Sequence, residues 1–149
     1  MSILENPQNR DIILVAFDFD GTLTTKDTFL AFVRFTHGLP RMLLGILRYL
    51  HWLLLMKMGR YSNGKLKERI FAYFYSGVSY EQFVQWGKEF SHMAESMLNT
   101  SMLKRLQRHA PEGHTLCVVS ASMDEWLRPI CLNLGVDEII ATRVELSSE

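Results

Sequence analysis

A short apolar run that ends in two closely spaced carboxylates constrains this chain more than any other feature. Residues 12–17 read Ile-Ile-Leu-Val-Ala-Phe, and residues 18–22 read Asp-Phe-Asp-Gly-Thr. A continuous apolar run of this length, closed by an Asp-Gly turn, predicts a buried strand of a parallel sheet. Ligands bind at the carboxyl ends of such strands, so the position of the two aspartates indicates a functional site.

The spacing of these carboxylates favours phosphoryl chemistry assisted by a metal ion. Two neighbouring anions repel each other unless a cation neutralises them, and oxygen ligands suit Mg²⁺, which also accepts phosphate as a ligand. One carboxylate can attack phosphorus while the other transfers protons. A calcium-binding loop would need Glu at its twelfth position, where this chain has Phe29. We therefore exclude a calcium loop, and a plain surface turn is the remaining alternative.

The rest of the chain combines a long helical region with two further short strands. Periodicity and break signals predict helices over 28–36, 41–58, 62–76, 80–108 and 123–134, and strands over 114–119 and 138–141. Parallel strands joined by helices imply an α/β sheet. The stretch of about 80 residues between the first two strands is too long for a simple crossover, so it should form a helical subdomain.

Residues 41–58 are strongly apolar but contain Arg48 and His51. We favour a helix packed on other helices, with the Arg48 side chain extending to water. A membrane-surface helix is the second interpretation. A spanning helix is the least favoured, because it needs about 20 mostly apolar residues and charges near its centre are costly.

Composition limits the partners that the protein would bind and the cellular compartment in which we expect it. The formal net charge is zero, which argues against a nucleic-acid partner. Cys117 and Cys131 lie in apolar runs, so we expect two small buried residues and no disulfide framework. Residues 1–10 lack the pattern of a signal peptide. We therefore expect a cytoplasmic protein, membrane-associated if 41–58 binds lipid. None of the five histidines has ligand spacing, and we assign none to a metal.

Residues 15–23 resemble the first signature of the haloacid dehalogenase (HAD) superfamily, an apolar strand followed by Asp-x-Asp-Gly-Thr-Leu. The resemblance implies that Asp18 is the nucleophile and a Mg²⁺ ligand. It also implies that Asp20 is the general acid/base, with its backbone carbonyl on the metal. Residues 118–120 resemble the second signature, a strand ending in Ser, and residues 120–122 are expected to open a helix that favours anions. The phosphate would be bound by Gly21, Thr22, Ser120 and Ala121.

The helical region lies between the two signatures, which is the place of the C1 cap in this superfamily. An all-helical C1 cap resembles subfamily IB, the phosphoserine-phosphatase-like group. The implied fold is α/β: a partial Rossmann-like, three-layer parallel core (1–27 and 109–149) with the cap (28–108) inserted after the first strand. Phosphoserine phosphatases use a Glu nine residues after the nucleophile to contact the substrate amine. Asp27 takes that place here, and a helix N-cap is the favoured alternative for it.

The resemblance ends before the family's third signature, a Lys or Arg, and its fourth, an acidic pair. We therefore expect a truncated chain whose sheet has an exposed edge and an exposed apolar face, which a homodimer could cover. The leading hypothesis is a Mg²⁺-dependent phosphomonoester hydrolase acting through an aspartyl phosphate. Its substrate would be a small or a lipid phosphate ester, since 41–58 resembles a helix of the superfamily's phosphatidylglycerophosphate phosphatases. The alternative is a non-catalytic module that binds a partner.

Overall fold

The computed structural model describes residues 12–144, so the expectations for residues 1–11 and 145–149 lie outside the described residues. Strands and helices follow one another in the order that the sequence predicts, except that the predicted helix 80–108 is two helices separated by a 3₁₀ turn. They are β1 (Leu14–Asp18), a π-helical turn (Phe19–Leu23), α1 (Thr28–Lys57), α2 (Asn63–Tyr75), α3 (Tyr80–Ala94), a 3₁₀ turn (Glu95–Met97), α4 (Thr100–His109), β2 (Thr115–Met123), α5 (Asp124–Asn133) and β3 (Glu138–Thr142).

The three strands form one parallel sheet in the order β1-β2-β3. Leu14 pairs with Thr115 at one end of β1, and Asp18 pairs with Val119 at the other. The α/β fold, with helices inserted after the first strand, is thus confirmed. Because all three strands run the same way, their carboxyl ends meet at the edge of the sheet where Asp18 lies.

Strand β2 is longer than the sequence predicts, and this corrects one expectation. Residues 120–122 belong to the strand and do not open a helix, since α5 begins at Asp124. The ladder to β3 is irregular between Val119 and Met123, but it resumes where Met123 pairs with Thr142. Residues 120–122 are therefore an irregular part of the strand between two paired segments, and the anion site expected from a helix start is not formed there.

The helical region divides at glycines and capping residues. Helix α1 has a break at Gly38, whose φ of 76° and ψ of 165° are not helical, so the predicted stop at 37–40 is a kink between two halves. Ser79 caps α3 by accepting a hydrogen bond from the Gln82 N–H at 3.2 Å. The boundaries 28–108 for a separate cap stay a prediction.

An aromatic cluster joins the helices α1, α3 and α5 to one another. The Phe32 ring of α1 stacks on Trp126 of α5 with centroids 4.4 Å apart, and it contacts the Phe90 ring of α3 edge-on at 5.2 Å. Gly87 permits α3 and α5 to approach closely, because a Cβ there would lie 2.8 Å from the Cβ of Glu125. The first half of α1 is thereby fixed against both α3 and α5.

The described sheet has one uncovered face, as the sequence predicts. Leu14 is 59% exposed, Val119 44% and Ile140 59%. The expectation that residues 12–17 form a buried strand is wrong in this respect, since Phe17 alone among them is buried. The described helices pack on the other face, and among residues 12–144 β1 has a neighbouring strand on one side only. The homodimer that would cover this edge stays a prediction.

Both cysteines are buried and free, as expected. Cys131 lies in α5 and Cys117 in the middle of β2. Burial raises the pKa of the Cys131 thiol to about 12, with the nearby Arg128 opposing the shift. The Cys131 thiol is therefore protonated at neutral pH and packs as a small apolar group.

Candidate active site

Asp18 lies at the carboxyl end of β1 with its side chain exposed. One of its carboxylate oxygens, Oδ2, accepts a hydrogen bond of 3.0 Å from the Thr22 hydroxyl. Gly21 adopts a φ of 76°, a left-handed conformation that favours glycine, and so lets the chain turn back beside the aspartate. The geometry leaves the Asp18 carboxylate open to solvent and to a ligand.

Asp20 is held in a fixed orientation by its neighbours. Its Oδ1 accepts hydrogen bonds from the backbone N–H and the hydroxyl of Thr28, both at 2.7 Å. Its Oδ2 accepts one from the Ser122 hydroxyl. Behind them, the Trp126 indole N–H donates to the Thr28 hydroxyl at 3.2 Å. Because Thr28, Ser122 and Trp126 are buried, packing keeps the Asp20 carboxylate in place.

The two hydroxyls that contact Asp20 also contact each other, with Thr28 Oγ1 and Ser122 Oγ 2.9 Å apart. Each hydroxyl has one proton to donate. With Asp20 ionised, both protons point at the carboxylate and none remains for the contact between the hydroxyls. With a proton on Oδ2, Asp20 donates to Ser122, Ser122 to Thr28, and Thr28 back to Oδ1. The arrangement can therefore accept both protonation states of Asp20.

The sequence did not single out Thr28 or Ser122. A usable signal existed for Ser122, because residues 120 and 122 of a strand lie on the same face. Thr28 follows the capping residue Asp27 and begins α1, so its distance from Asp20 depends on how the helix packs. That packing is a tertiary property, and no local pattern in the sequence reveals it.

The predicted phosphate-binding residues lie near the same edge of the sheet. Ser120 follows Val119, the residue that pairs with Asp18. The Ser120 hydroxyl accepts a hydrogen bond from the Ser122 N–H at 3.0 Å, and the Ala121 carbonyl accepts one from the Thr142 hydroxyl at 3.1 Å. The structure thus brings the two signatures together, and the binding of phosphate by these residues stays a prediction.

Asp27 acts as the N-cap of α1. Its Oδ1 accepts a hydrogen bond from the Leu30 N–H at 3.0 Å, and its side chain is exposed. The capping alternative is therefore what the structure shows, and a contact between Asp27 and a substrate stays a prediction.

The loop that follows the aspartates is tied to the end of the helical region. The Thr25 N–H donates to the Met97 carbonyl, and the Asn99 N–H donates to the Leu23 carbonyl, both at 2.8 Å. Thr24 is buried and donates its hydroxyl to the Lys26 carbonyl at 2.8 Å. These bonds fix the segment that connects the site to α1.

The oxygen donors at the strand end suit a hard cation. The Asp18 carboxylate and the Asp20 carbonyl would be the protein ligands, since both carboxylate oxygens of Asp20 are engaged by hydroxyls. Within residues 12–144, neither aspartate forms an ion pair with Lys, Arg or His. An oxygen-only set with an unneutralised carboxylate fits Mg²⁺, which keeps several waters when it binds few protein ligands.

Comparisons with known proteins agree with this geometry. The family model described as haloacid dehalogenase-like hydrolase matches residues 15–148. The protein CicA of Caulobacter vibrioides is 35% identical over 138 residues, which cover 92% of this chain and 61% of CicA. The chain therefore spans less than two thirds of the length of that relative.

Solved structures share the fold at low sequence identity. A protein of unknown function from Bordetella pertussis superposes with a TM-score of 0.71 at 21% identity, over 90% of this chain and 62% of that one. A phosphoserine phosphohydrolase-like protein from Francisella tularensis has a TM-score of 0.65 at 20% identity, over 87% of this chain and 57% of that one. A phosphoserine phosphatase, solved as an analogue of its phospho-aspartyl intermediate, has a TM-score of 0.62 at 19% identity, over 93% of this chain and 59% of that one.

The two signatures and the parallel sheet define a protein of the α/β class with carboxylates at its strand ends. The chain belongs to the haloacid dehalogenase-like hydrolase family, and its fold is that of the phosphoserine-phosphatase-like members.

Proposed function

We propose that the protein is a phosphomonoester hydrolase in which Asp18 is the nucleophile and Asp20 the general acid/base. One observation carries the proposal. The Asp18 carboxylate is open to solvent, whereas the Asp20 carboxylate, two residues along the chain, is fixed by buried hydroxyls. A nucleophile must be accessible to phosphorus, and a proton-transfer group must be held at one position. The family membership and the phosphoserine phosphatase fold support the assignment.

The reaction has two steps. In the first, an Asp18 oxygen attacks phosphorus in line, the ester P–O bond breaks, and the protonated Asp20 gives its proton to the leaving oxygen. In the second, water attacks the aspartyl phosphate and Asp20 takes a proton from that water, which restores Asp18 and releases phosphate. The hydrogen bonds from Thr28 and Ser122 suit this cycle, because they can close around Asp20 in either protonation state.

Mg²⁺ is the cofactor that this site would use, held by the Asp18 carboxylate and the Asp20 carbonyl. When bound, it offsets the negative charge of the carboxylates and the phosphate. The backbone N–H groups of Gly21 and Thr22, with the Ser120 hydroxyl and the Ala121 N–H, are the proposed phosphate contacts. Such preorganised donors stabilise charge that develops on the phosphate oxygens.

The test is Asp18→Asn, assayed on an aryl phosphate with and without Mg²⁺. We expect the rate to fall by at least about a thousandfold, because the amide cannot form the covalent intermediate. Glu138→Gln is the matched control, since Glu138 is exposed at the opposite end of β3. Equal rates for Asp18→Asn and the unaltered protein would contradict the proposal and favour the alternative, a non-catalytic binding module.

The capping role of Asp27 and its predicted contact with substrate can be tested separately. Asp27→Ser keeps an oxygen that can cap α1 and removes the charge. If a substrate amine contacts Asp27, the KM for amine-bearing phosphate esters rises while the KM for aryl phosphate stays unchanged. If the variant has the same KM as the unaltered protein for each substrate class, Asp27 does not contact substrate and serves only as the N-cap of α1.

We also propose that the second half of α1 binds an anionic membrane surface and that the substrate class includes lipid phosphate esters. Of this half, residues 39–57, only Gly45 is buried, contrary to the packed helix that we favoured from sequence. An apolar face runs along it at spacings of three and four residues and consists of Leu39, Leu43, Leu47, Leu50 and Leu54, each 44–67% exposed. By length and composition alone, α1 could also cross a membrane.

The charge of this helix and its neighbours favours binding to an anionic membrane surface over packing in a protein core. The zero net charge of the chain conceals a stretch, residues 28–67, that contains no Asp or Glu. The same stretch contains seven basic residues: Arg34, Arg41, Arg48, Lys57, Arg60, Lys65 and Lys67. Each Lys or Arg near an anionic leaflet contributes about 1 kcal/mol, and a helix with an apolar face lies in the interface. A phosphatase held there would act at the cytoplasmic face of a membrane.

Co-sedimentation with phosphatidylcholine vesicles, with and without phosphatidylglycerol, tests this binding separately from catalysis. We expect sedimentation with the anionic vesicles, loss of it in the double variant Leu47→Gln/Leu54→Gln, and weakening at high salt. Leu132→Gln is the control, because Leu132 is equally exposed but lies on α5. Equal binding by both variants, or a dimer that only Leu47→Gln/Leu54→Gln dissociates, would contradict the membrane proposal.

A further inference from the structure

We propose that His109, Glu112 and His114 form a binding site for Zn²⁺ at the turn between α4 and β2. The sequence alone assigns no histidine to a metal, because the spacing of these residues matches no familiar motif. The structure brings the three side chains together, with one donor atom from each within 4.8 Å of the others.

The turn itself explains why the side chains converge. His109 is the last residue of α4, and the N–H groups of both Glu112 and His114 donate to its carbonyl, at 3.2 and 3.3 Å. Gly113 has a φ of 73°, which reverses the chain before β2 begins at Thr115. The backbone therefore wraps around the end of the helix and presents residues 109, 112 and 114 to one another.

The distances between the donor atoms suit a tetrahedral ion. The Nδ1 atoms of His109 and His114 are 3.0 Å apart, and Oε2 of Glu112 lies 3.7 Å from the first and 3.3 Å from the second. Zinc bonds of about 2.0–2.2 Å at tetrahedral angles place neighbouring donors about 3.3–3.6 Å apart. Shifts of a few tenths of an ångström in the exposed Glu112 side chain and the half-buried histidines would complete three corners, leaving a fourth for water.

The donor types separate this site from the carboxylates at the other end of the sheet. Two imidazole nitrogens and one carboxylate oxygen suit Zn²⁺, whereas Mg²⁺ prefers oxygen alone. The site adjoins Thr115, which pairs with Leu14, while Asp18 lies at the far end of the same strand pair. An ion here would not contact substrate; it would fasten the end of α4 to the start of β2.

A structural consequence follows from the contact between His109 and β1. The His109 ring lies edge-on to the Phe17 ring, with centroids 6.2 Å apart. Phe17 is buried and precedes Asp18. A metal bound at His109 would therefore stabilise the strand that carries the proposed nucleophile, and it should raise the melting temperature, because binding to the folded state alone shifts the folding equilibrium.

The experiment is calorimetric titration with Zn²⁺, followed by Co²⁺ absorbance, on the full chain carrying Asp18→Asn and in excess Mg²⁺ to suppress binding at the strand ends. We expect one Zn²⁺ per chain, a rise in melting temperature and a tetrahedral Co²⁺ spectrum. His114→Gln should weaken binding by at least about tenfold. Glu112→Gln, at an exposed position, gives a second readout with a smaller loss and little risk to folding.

His92→Gln is the matched control, because His92 is an exposed histidine on α3. Equal weakening by His92→Gln and His114→Gln would indicate scattered, adventitious binding and overturn the proposal. So would unchanged Zn²⁺ affinity in Glu112→Gln and His114→Gln, or an octahedral Co²⁺ spectrum. The contact between His109 and His114 would then be only a hydrogen bond between two imidazoles.

Discussion

The two halves of α1 differ in burial, although they belong to one helix. In the first half, residues 28–37, Thr28, Phe32 and Val33 are fully buried. In the second half, residues 39–57, Gly45 is the sole buried residue. Both halves are apolar and free of acidic residues, so composition does not separate them. What separates them is the number of packing partners: α2, α3 and α5 all contact the first half around Phe32. The second half is contacted by α2, where Phe74 meets Gly45, and by Tyr61, which lies against Trp52.

This difference teaches that apolar sequence and structural burial are separate properties. The first half uses its apolar side chains to hold the site, because Phe32 stacks on Trp126 and Trp126 supports Thr28. The second half leaves its apolar face free, which is costly in water unless another surface covers it. Mutations on either side of Gly38 should therefore act on different observables.

The largest expected effect is that of Phe32→Ala. Removing a buried aromatic ring should lower the free energy of unfolding by about 3–5 kcal/mol. Leu43→Ala, in the exposed half, should change it by less than about 0.5 kcal/mol. Urea denaturation of both variants measures the comparison, and losses of equal size would show that the second half is also part of the packed core.

Thr28→Val tests the link between the first half and the site. The variant keeps the shape and the backbone N–H but loses the hydroxyl that donates to Asp20. We expect kcat to fall about tenfold to a hundredfold, because the general acid/base loses one of its fixed contacts. Thr36→Val, which removes a hydroxyl from the same half beside Tyr75, should leave kcat unchanged.

Gly38→Ala addresses the kink between the halves. A φ of 76° with a ψ of 165° is a conformation that only glycine adopts readily, so the variant should lose about 1–3 kcal/mol of stability. Gly64→Ala is the control, because Gly64 has no positive φ and an added Cβ meets nothing closer than 3.8 Å. Equal stability of the two variants would mean that the kink is not required.

The smallest effect concerns Glu125, which packs against Gly87 beside the aromatic cluster. Burial raises the pKa of the Glu125 carboxyl above its ordinary value, and Asp124 adds to the rise while Arg143 opposes it. A raised pKa means that Glu125 favours the folded state below its ordinary pKa and that this contribution is lost as the pH rises. Among residues 12–144, its Oε2 is buried without a hydrogen-bond partner.

Glu125→Gln should therefore gain stability relative to the unaltered protein from about pH 4, the ordinary range of a glutamate carboxyl, upwards, by less than about 1 kcal/mol after solvent screening. Melting temperatures across this range measure the effect. Glu81→Gln, in the first turn of α3, is the control, and its stability difference should not depend on pH in the same way. A gain that is larger at the acidic end would contradict the assignment.

Several elements were predictable because their signals are local. The apolar run before Asp18 predicts β1, and the turn glycines predict the breaks at Gly38 and Gly135. Parallel order followed from the helices between the strands. The extended run 120–122 was missed, since the pairing of Val119 and Met123 with β3 on either side of it keeps it within the strand despite the helix-opening signal of two serines.

Tertiary structure accounts for what the sequence could not supply at the two ends of the sheet. Ser122 lies 102 residues from Asp20, and Thr28 lies 94 from Ser122, yet all three are in contact. His109 and His114 are close in sequence, but they converge only because the turn wraps around the end of α4. Spacing alone shows neither arrangement.

By itself, the sequence determined the chemistry available to this protein: two carboxylates after a strand, a glycine turn and a serine on the next strand. The tertiary structure alone decided how those groups differ, leaving Asp18 exposed and holding Asp20 among buried hydroxyls. It also decided which half of α1 is core and which is surface. The reason is that motifs depend on neighbours along the chain, whereas burial depends on which elements pack against one another, and packing sums contacts over the whole fold.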